Sequence, residues 1–228
     1  MVWPLQPLIR FSFRLGAKSI VIPALVALTV VSARAAADIS VADPALQKCV
    51  NLISKKNGWL QAEQFEQIKC HNKGIESTAG LEKFTALTKL SLYKNKITEF
   101  ELHNFSQLSH LNIAGNSLTK LAIQNCSALK ALYAFHNNLQ QISILGCTKL
   151  AQIKANNNAL KHAELIELPA LKKLYLFDNE LEVLNIKPLG GLRYLDVRQN
   201  PMPDDYYDYL DSVKGLTSLH DGNAEDWD

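Results

Sequence analysis

Six histidines, four cysteines and a scatter of acids are the residues of this 228-residue chain whose types could do covalent chemistry. Catalysis would need some of them to converge at a recognisable spacing, and they do not. There is no G-x-S-x-G, no H-E-x-x-H and no phosphate-binding glycine loop. His110 and His136 stand 26 residues apart and fall in no common register. Asp178 and Asp196 could approach one another, but acids bordering a strand are ordinarily solvated. No two cysteines form C-x-x-C, so zinc binding and thioredoxin-type exchange are not indicated. The expectation is a protein that is not an enzyme, with no catalytic residue, no metal ligand and no cofactor. What remains is non-covalent chemistry. Tyr93, Tyr133, Phe135, Tyr175, Phe177 and Tyr194 are large rings, with Lys154, Asp196 and Arg198 interspersed. Rings with interleaved basic groups dominate binding hot spots. Sheet propensity alone would also place Tyr and Phe in strands. The recurrence of Tyr133/Phe135 as Tyr175/Phe177 favours binding.

A repeat aligns these rings. Asparagine stands at 95, 116, 137, 158, 179 and 200, each step being 21 residues. The same frame carries leucine-like residues in the pattern L-x-x-L-x-L-x-x-N-x-L, six times, from Leu87 to Met202. In L-x-L the alternation turns two side chains inward and the middle one outward. An asparagine amide both donates and accepts, so Asn95, Asn116, Asn137, Asn158, Asn179 and Asn200 should satisfy turn backbone that no strand ladder reaches. They read as a structural spine. The outward positions then form rows: Ser91, Asn112, Tyr133, Lys154, Tyr175 and Asp196; Tyr93, Ala114, Phe135, Asn156, Phe177 and Arg198; Lys89, His110, Ala131, Gln152, Lys173 and Tyr194.

These motifs resemble the leucine-rich repeat family over about residues 65–219. The period and the second half-motif (Phe100-x-Leu102, Leu121-x-Ile123, Ile142-x-Ile144, Leu184-x-Ile186) are similar to the short bacterial subclass. The opening segment, Ile68-Lys-Cys70 with Gly74-Ile75, Gly80-Leu81 and Leu87, is similar to internalin-type proteins. One repeat departs, with Ala163 in a weak first position. The resemblance implies an α/β-type solenoid: a horseshoe with a parallel β-sheet on its concave side. The period itself leaves little room for a convex helix, so short extended segments are expected there.

A solenoid needs its ends covered. Asp43-Pro44 reads as an N-cap and first helical residue, and Leu46, Cys49, Val50 and Ile53 follow at helical spacing until Asn57-Gly58. Pro203-Asp204-Asp205 opens a second helix, with Tyr206, Tyr209, Leu210 and Val213 as its packing face and Gly215 as its end. Leu216-x-x-Leu219 resembles a truncated last repeat. A Cys49–Cys70 disulfide would staple the first cap to the solenoid, the alternative being two buried thiols. Cys126 and Cys147 hold equivalent positions in neighbouring coils, within a disulfide's reach, but read as reduced core residues.

The N-terminus has Arg10, Arg14 and Lys18, an apolar stretch over 19–31 and a small-residue exit before Asp38. This reads as a signal peptide, so export to the periplasm or beyond is expected, with no integral span after cleavage. The expected division is 1–37 signal peptide, 38–64 helical cap, 65–203 repeats (regular from about 87), and 204–228 C-terminal cap with acidic tail. With 24 basic and 22 acidic residues the chain is not a uniformly basic nucleic-acid binder. The expected function is that of a monomeric recognition module docking a protein partner on its concave face. A glycan held by the same rings, or a structural envelope role, is the alternative.

Overall fold

Two short extended segments per 21 residues are what the chain forms, and stacking them builds two parallel sheets. The structure is a computed structural model and describes residues 39–222; the expected signal peptide and the end of the acidic tail lie outside the described residues. In chain order the elements are α1 (Pro44–Asn57), β1 (Gln67–Lys69), β2 (Lys89–Ser91), β3 (Glu99–His103), β4 (His110–Asn112), β5 (Lys120–Gln124), β6 (Ala131–Tyr133), β7 (Gln141–Leu145), β8 (Gln152–Lys154), β9 (His162–Ile166), β10 (Lys173–Tyr175), β11 (Tyr194–Asp196), α2 (Asp204–Ser212) and β12 (Thr217–Leu219). The concave sheet runs β1-β2-β4-β6-β8-β10-β11-β12, and the second runs β3-β5-β7-β9. From β2 to β11 the register places each residue beside the one 21 positions away, as in Leu90↔Leu111 and Ile153↔Leu174. Among the described residues no helix is long and apolar enough to cross a membrane.

The core is the stack of inward leucines. Leu90, Leu111, Leu132, Ile153, Leu174 and Leu195 are buried in one row, and Leu92, Ile113, Ala134, Ala155, Leu176 and Val197 in the next. Burying each leucine contributes about 2 kcal/mol. Between strands the chain turns where no ladder can serve its backbone, and the asparagines act there. Asn137 Oδ1 accepts from Leu118 N (3.1 Å), while Nδ2 donates to Ile113 O (3.2 Å) in the preceding coil and to Ala134 O (3.1 Å) in its own. Asn116, Asn158, Asn179 and Asn200 repeat this pattern. Asn95 instead reaches the first coil, accepting from Lys73 N and Ile75 N and donating to Cys70 O and Leu92 O.

The second sheet ends one coil early, for a reason visible in the turn that follows each of its strands. Asn104, Asn125, Gly146 and Glu167 hold φ of 62°, 56°, 68° and 56° there. The next residue in that register is Pro188, whose ring fixes φ near about −65° and which has no N–H. The segment around Leu184 and Ile186 therefore packs inward without joining the ladder. Ala163 is only half-buried, and Ile166 beside this edge is exposed.

Both ends are sealed. At the first, Asp43 caps α1 with Oδ1, accepting from Ala45 N and Leu46 N (both 2.8 Å). Its Oδ2 accepts from Glu76 N (2.8 Å) and Ser77 N (3.1 Å), so one carboxylate ties the helix to the loop before the first full repeat. A disulfide joins Cys49 of α1 to Cys70, with the Cα atoms 6.0 Å apart. Phe65 and Phe84 pack edge-to-face beneath this cap at 5.1 Å. Cys126 and Cys147 are buried free thiols in contact with each other.

The other end corrects two expectations. Leu210 is buried and Tyr206, Tyr209 and Val213 pack partly buried against the core, as expected, but the helix also buries Tyr207, which the expected face left out. Tyr207 is drawn in by Asn200, whose carbonyl accepts from Tyr207 Oη at 3.0 Å. The helix also stops at Ser212, before Gly215. Strand β12 does join the concave sheet, but pairs Leu195↔Ser218 and Asp196↔Leu219. The last coil is two residues longer than the repeat, so Leu219 falls in the outward row. His220 follows as a ring stacked on Tyr207 at 4.6 Å, its Nε2 lying 3.0 Å from Asp211 Oδ1.

Two predictions follow from these bonds. Asn137→Ala leaves the buried Leu118 N–H without a partner, while Ile113 O and Ala134 O keep the amides of Asn116 and Asn158, and should cost about 2 kcal/mol, against under about 0.5 kcal/mol for exposed Asn138→Ala, measured by denaturant unfolding. For Asp43, burial opposes ionisation, but the four backbone N–H donors outweigh it and hold the pKa below 3.8. A depressed carboxyl stabilises the fold above its unfolded pKa, and that stability is lost as pH falls through the folded pKa. Wild type should therefore exceed Asp43→Asn by about 2 kcal/mol above about pH 5, the gap closing as pH drops below 3.8.

Candidate functional site

The leucines and asparagines meet the repeat's requirements, and the ladder sets the outward residues of the concave strands side by side. Tyr133, Lys154, Tyr175 and Asp196 are direct neighbours across β6, β8, β10 and β11. Two positions on along the chain come Phe135, Asn156, Phe177 and Arg198. The six rings are half-buried, so each presents an edge or face to solvent. Ala114 and Ala131 in the same rows are covered by their larger neighbours.

The structure divides these residues into two clusters. In the first, Tyr93 meets His71 edge-on at 5.9 Å, with Lys94 Nζ 5.3 Å from its centroid. In the second, Lys154 Nζ lies 5.0 Å from the Tyr175 centroid, and Tyr175 is 5.0 Å from Tyr194 at 42°. Tyr133 and Phe135 stand between the clusters, Phe135 edge-on to His136 at 5.4 Å. Asp196 and Arg198 close the second cluster. The Asp196 side chain is 3% exposed, and Arg198 grips it twice, Nε to Oδ1 at 3.0 Å and Nη2 to Oδ2 at 2.8 Å. Asp196 is therefore a support beneath Arg198 and not an open carboxylate. Its hydrogen bond is the main influence raising the Arg198 pKa.

Basic side chains outnumber acidic ones on this face. Lys69, Lys89, Lys94, Lys154 and Lys173 project from the concave strands and their exits, with Lys130, Lys172 and Arg193 along the edge where strands begin. Burial, then Lys89 and Lys130, lower the pKa of His110. Burial, then Asp196 and Tyr175, raise that of the Tyr194 phenol.

Pattern reading missed a broad open groove of about 1260 Å3 on the opposite side. The second sheet floors it through residues such as Glu99, Glu101, Lys120, Gln141 and Ser143, and the loop Glu76–Ala79 walls it. Ser143 Oγ donates to Glu164 across its floor at 2.7 Å. The signal lay in the outward acids of the second half-motifs, but which loop stood beside them could not be read from spacing. Among the described residues no group of three or more His, Cys, Asp or Glu is placed to hold a metal ion.

The fold is that of leucine-rich-repeat proteins. YopM from Yersinia pestis, a leucine-rich effector protein, is similar with a TM-score of 0.56 and 22% identity, over 80% of this chain and 55% of that one. YopM from Yersinia enterocolitica is similar with a TM-score of 0.51 and 22% identity, over 76% of this chain and 40% of that one. Internalin C2 from Listeria monocytogenes aligns with a TM-score of 0.49 and 20% identity, over 79% of this chain and 94% of that one. This chain thus spans about half the length of the Yersinia proteins. No family model and no curated protein sequence matches it.

Arg198 is tied into the fold by the buried carboxylate it covers. Arg198→Ala should therefore destabilise the protein by about 2 kcal/mol, where exposed Lys173→Ala changes it by less than about 0.5 kcal/mol, both read from urea midpoints at constant slope.

Proposed function

We propose that this protein is an exported leucine-rich-repeat module of the short bacterial type that recognises another protein through its concave sheet. The observation that carries the reading is the ring rows. Tyr93, Tyr133, Phe135, Tyr175, Phe177 and Tyr194 occupy positions that the repeat leaves free, and they remain partly open to solvent. Aligned rings with cations among them are the composition of interface hot spots, and an exposed ring surface carries a solubility cost unless a partner covers it. Lys154 and Arg198, the latter held by Asp196, orient the partner. Export is supported by the basic-then-apolar N-terminal pattern and by the Cys49–Cys70 disulfide, which suits an oxidising compartment. The module acts by docking, as a monomer, without catalysis.

The test is to replace Tyr133, Phe135, Tyr175 and Phe177 together with Ser in the chain from Asp38 onward and compare capture from membrane and periplasmic extracts. The variant should keep a cooperative unfolding transition and lose the protein band that wild type retains. A band retained by both proteins would sink the assignment of this face. Retention of purified cell wall by wild type alone, with no protein band, would replace the partner with a glycan.

A further inference from the structure

The two sheets differ in charge, and the difference bears on what docks. Lys69, Lys89, Lys94, Lys154 and Lys173 lie on or beside the concave strands, and among the described residues none of their ammonium groups has a carboxylate within 4.0 Å. Acids do stand on this side, among them exposed Glu66 before β1, but none pairs with these lysines. Asp196 is covered by Arg198, Asp178 accepts from the Asn157 amide, and Asp221 accepts from the backbone N–H of Gln199. The second sheet turns Glu99, Glu101 and Glu164 outward instead. A surface lysine usually finds some acid at modest gain. A row of them without one leaves a positive potential that an anionic partner would neutralise.

The rings discriminate between anionic partners. A sugar or a nucleobase binds an aromatic side chain by lying flat on its face. Here Lys154 stands over Tyr175 and Lys94 over Tyr93, at 5.0 and 5.3 Å from the ring centroids. Tyr194 meets Tyr175 at 42°, so the pair offers no flat shared platform. The groups presented are an ammonium backed by a ring, and ring edges beside it. A carboxylate fits the first and an apolar side chain the second. A protein chain supplies both together: in an extended segment, side chains on one face recur about every 6.6 Å, so across three strands about 4.8 Å apart it turns two or three of them to the sheet.

We propose, resting on the docking function above, that the partner presents an acidic protein segment whose sheet-facing side carries both carboxylates and aromatic or aliphatic side chains, seated across β8, β10 and β11. Lys154 and Lys173 receive its carboxylates, while Tyr175, Phe177 and Tyr194 pack its apolar groups.

The core of the described residues runs from Val41 to Leu210, and the chain from Asp38 onward contains all of it, so that chain serves for the test. A fluorescein-labelled random copolymer of Glu and Tyr is titrated by anisotropy, beside copolymer of Lys and Tyr, oligodeoxythymidine and alginate. The Glu/Tyr copolymer should bind most tightly. Its affinity should fall at least about tenfold in Lys154→Glu/Lys173→Glu, and also on raising salt from about 50 to about 300 mM. Lys55→Glu/Lys56→Glu on α1 makes the same change in net charge and should alter binding by less than about twofold. Equal losses in the two variants, or tighter binding of oligodeoxythymidine or alginate, overturn the proposal. Matching unfolding curves exclude a folding defect as the cause. Capture of the natural partner separates this proposal from the one beneath it. Loss in the four-ring variant with full retention in Lys154→Glu/Lys173→Glu overturns the acidic segment and leaves the docking face standing. Retention in both overturns the docking face itself.

Discussion

The backbone of the turn after each concave strand must find hydrogen-bond partners that no strand can provide, and the rest of the molecule is arranged around that need. A buried N–H or C=O left unpaired costs about 1–3 kcal/mol, and each coil repeats the turn. The asparagine amide meets the need by bonding three ways, to a carbonyl of its own coil, a carbonyl of the coil before, and an amide N–H of the coil before. Because two of these bonds cross between coils, each asparagine also fixes the offset of its coil against the previous one. A strict 21-residue period follows, for an inserted residue would pull an amide out of reach. From that period come the in-register leucine stacks and the straight outward rows.

The ends show what happens when the constraint is lifted. Before Asn95 the spacing loosens, and two other bonds take over: the four-donor carboxylate of Asp43 and the Cys49–Cys70 bridge. After Asn200 no further asparagine governs register. The last coil accommodates α2, β12 shifts by two residues, and Tyr207 and His220 cover the final leucine layer with rings. On the second sheet it is one residue, Pro188, that stops the ladder, since the left-handed turn used by Asn104, Asn125 and Gly146 is closed to it.

Legibility in the sequence followed the same division. Positions with a single steric or hydrogen-bonding solution were readable: the leucine rows, the asparagines, the Asp43 cap and the solenoid they imply. Positions set by the packing of non-repeating segments were not. The burial of Tyr207 beside Leu210 depends on how α2 leans on the last coil, and the outward placement of Leu219 on a coil length that no motif marks. At the candidate site the rows were legible from the period, but the state of each side chain was not. Asp196 and Arg198 occupy ordinary outward positions, and only the structure shows that one is buried beneath the other.

That pair bears on how the proposed recognition and the fold's stability would share this surface. Elsewhere the rings and lysines of the concave rows stand outside the leucine stack and are at least partly exposed. At β11 the outward carboxylate is desolvated, and its guanidinium partner is half in solvent, 51% exposed against 3%. Such a pair gains little over an apolar substitute, but losing one member leaves a buried charge. The arrangement holds the guanidinium plane in place by two parallel bonds, so little side-chain entropy is lost when a ligand meets its remaining N–H groups. Beside it, Tyr175, Tyr194 and Lys154 are likewise fixed by one another. A surface ordered before its partner arrives binds at lower entropic cost than one that must organise on contact, and in this protein the ordering is concentrated at the end of the sheet where rings and cations are densest.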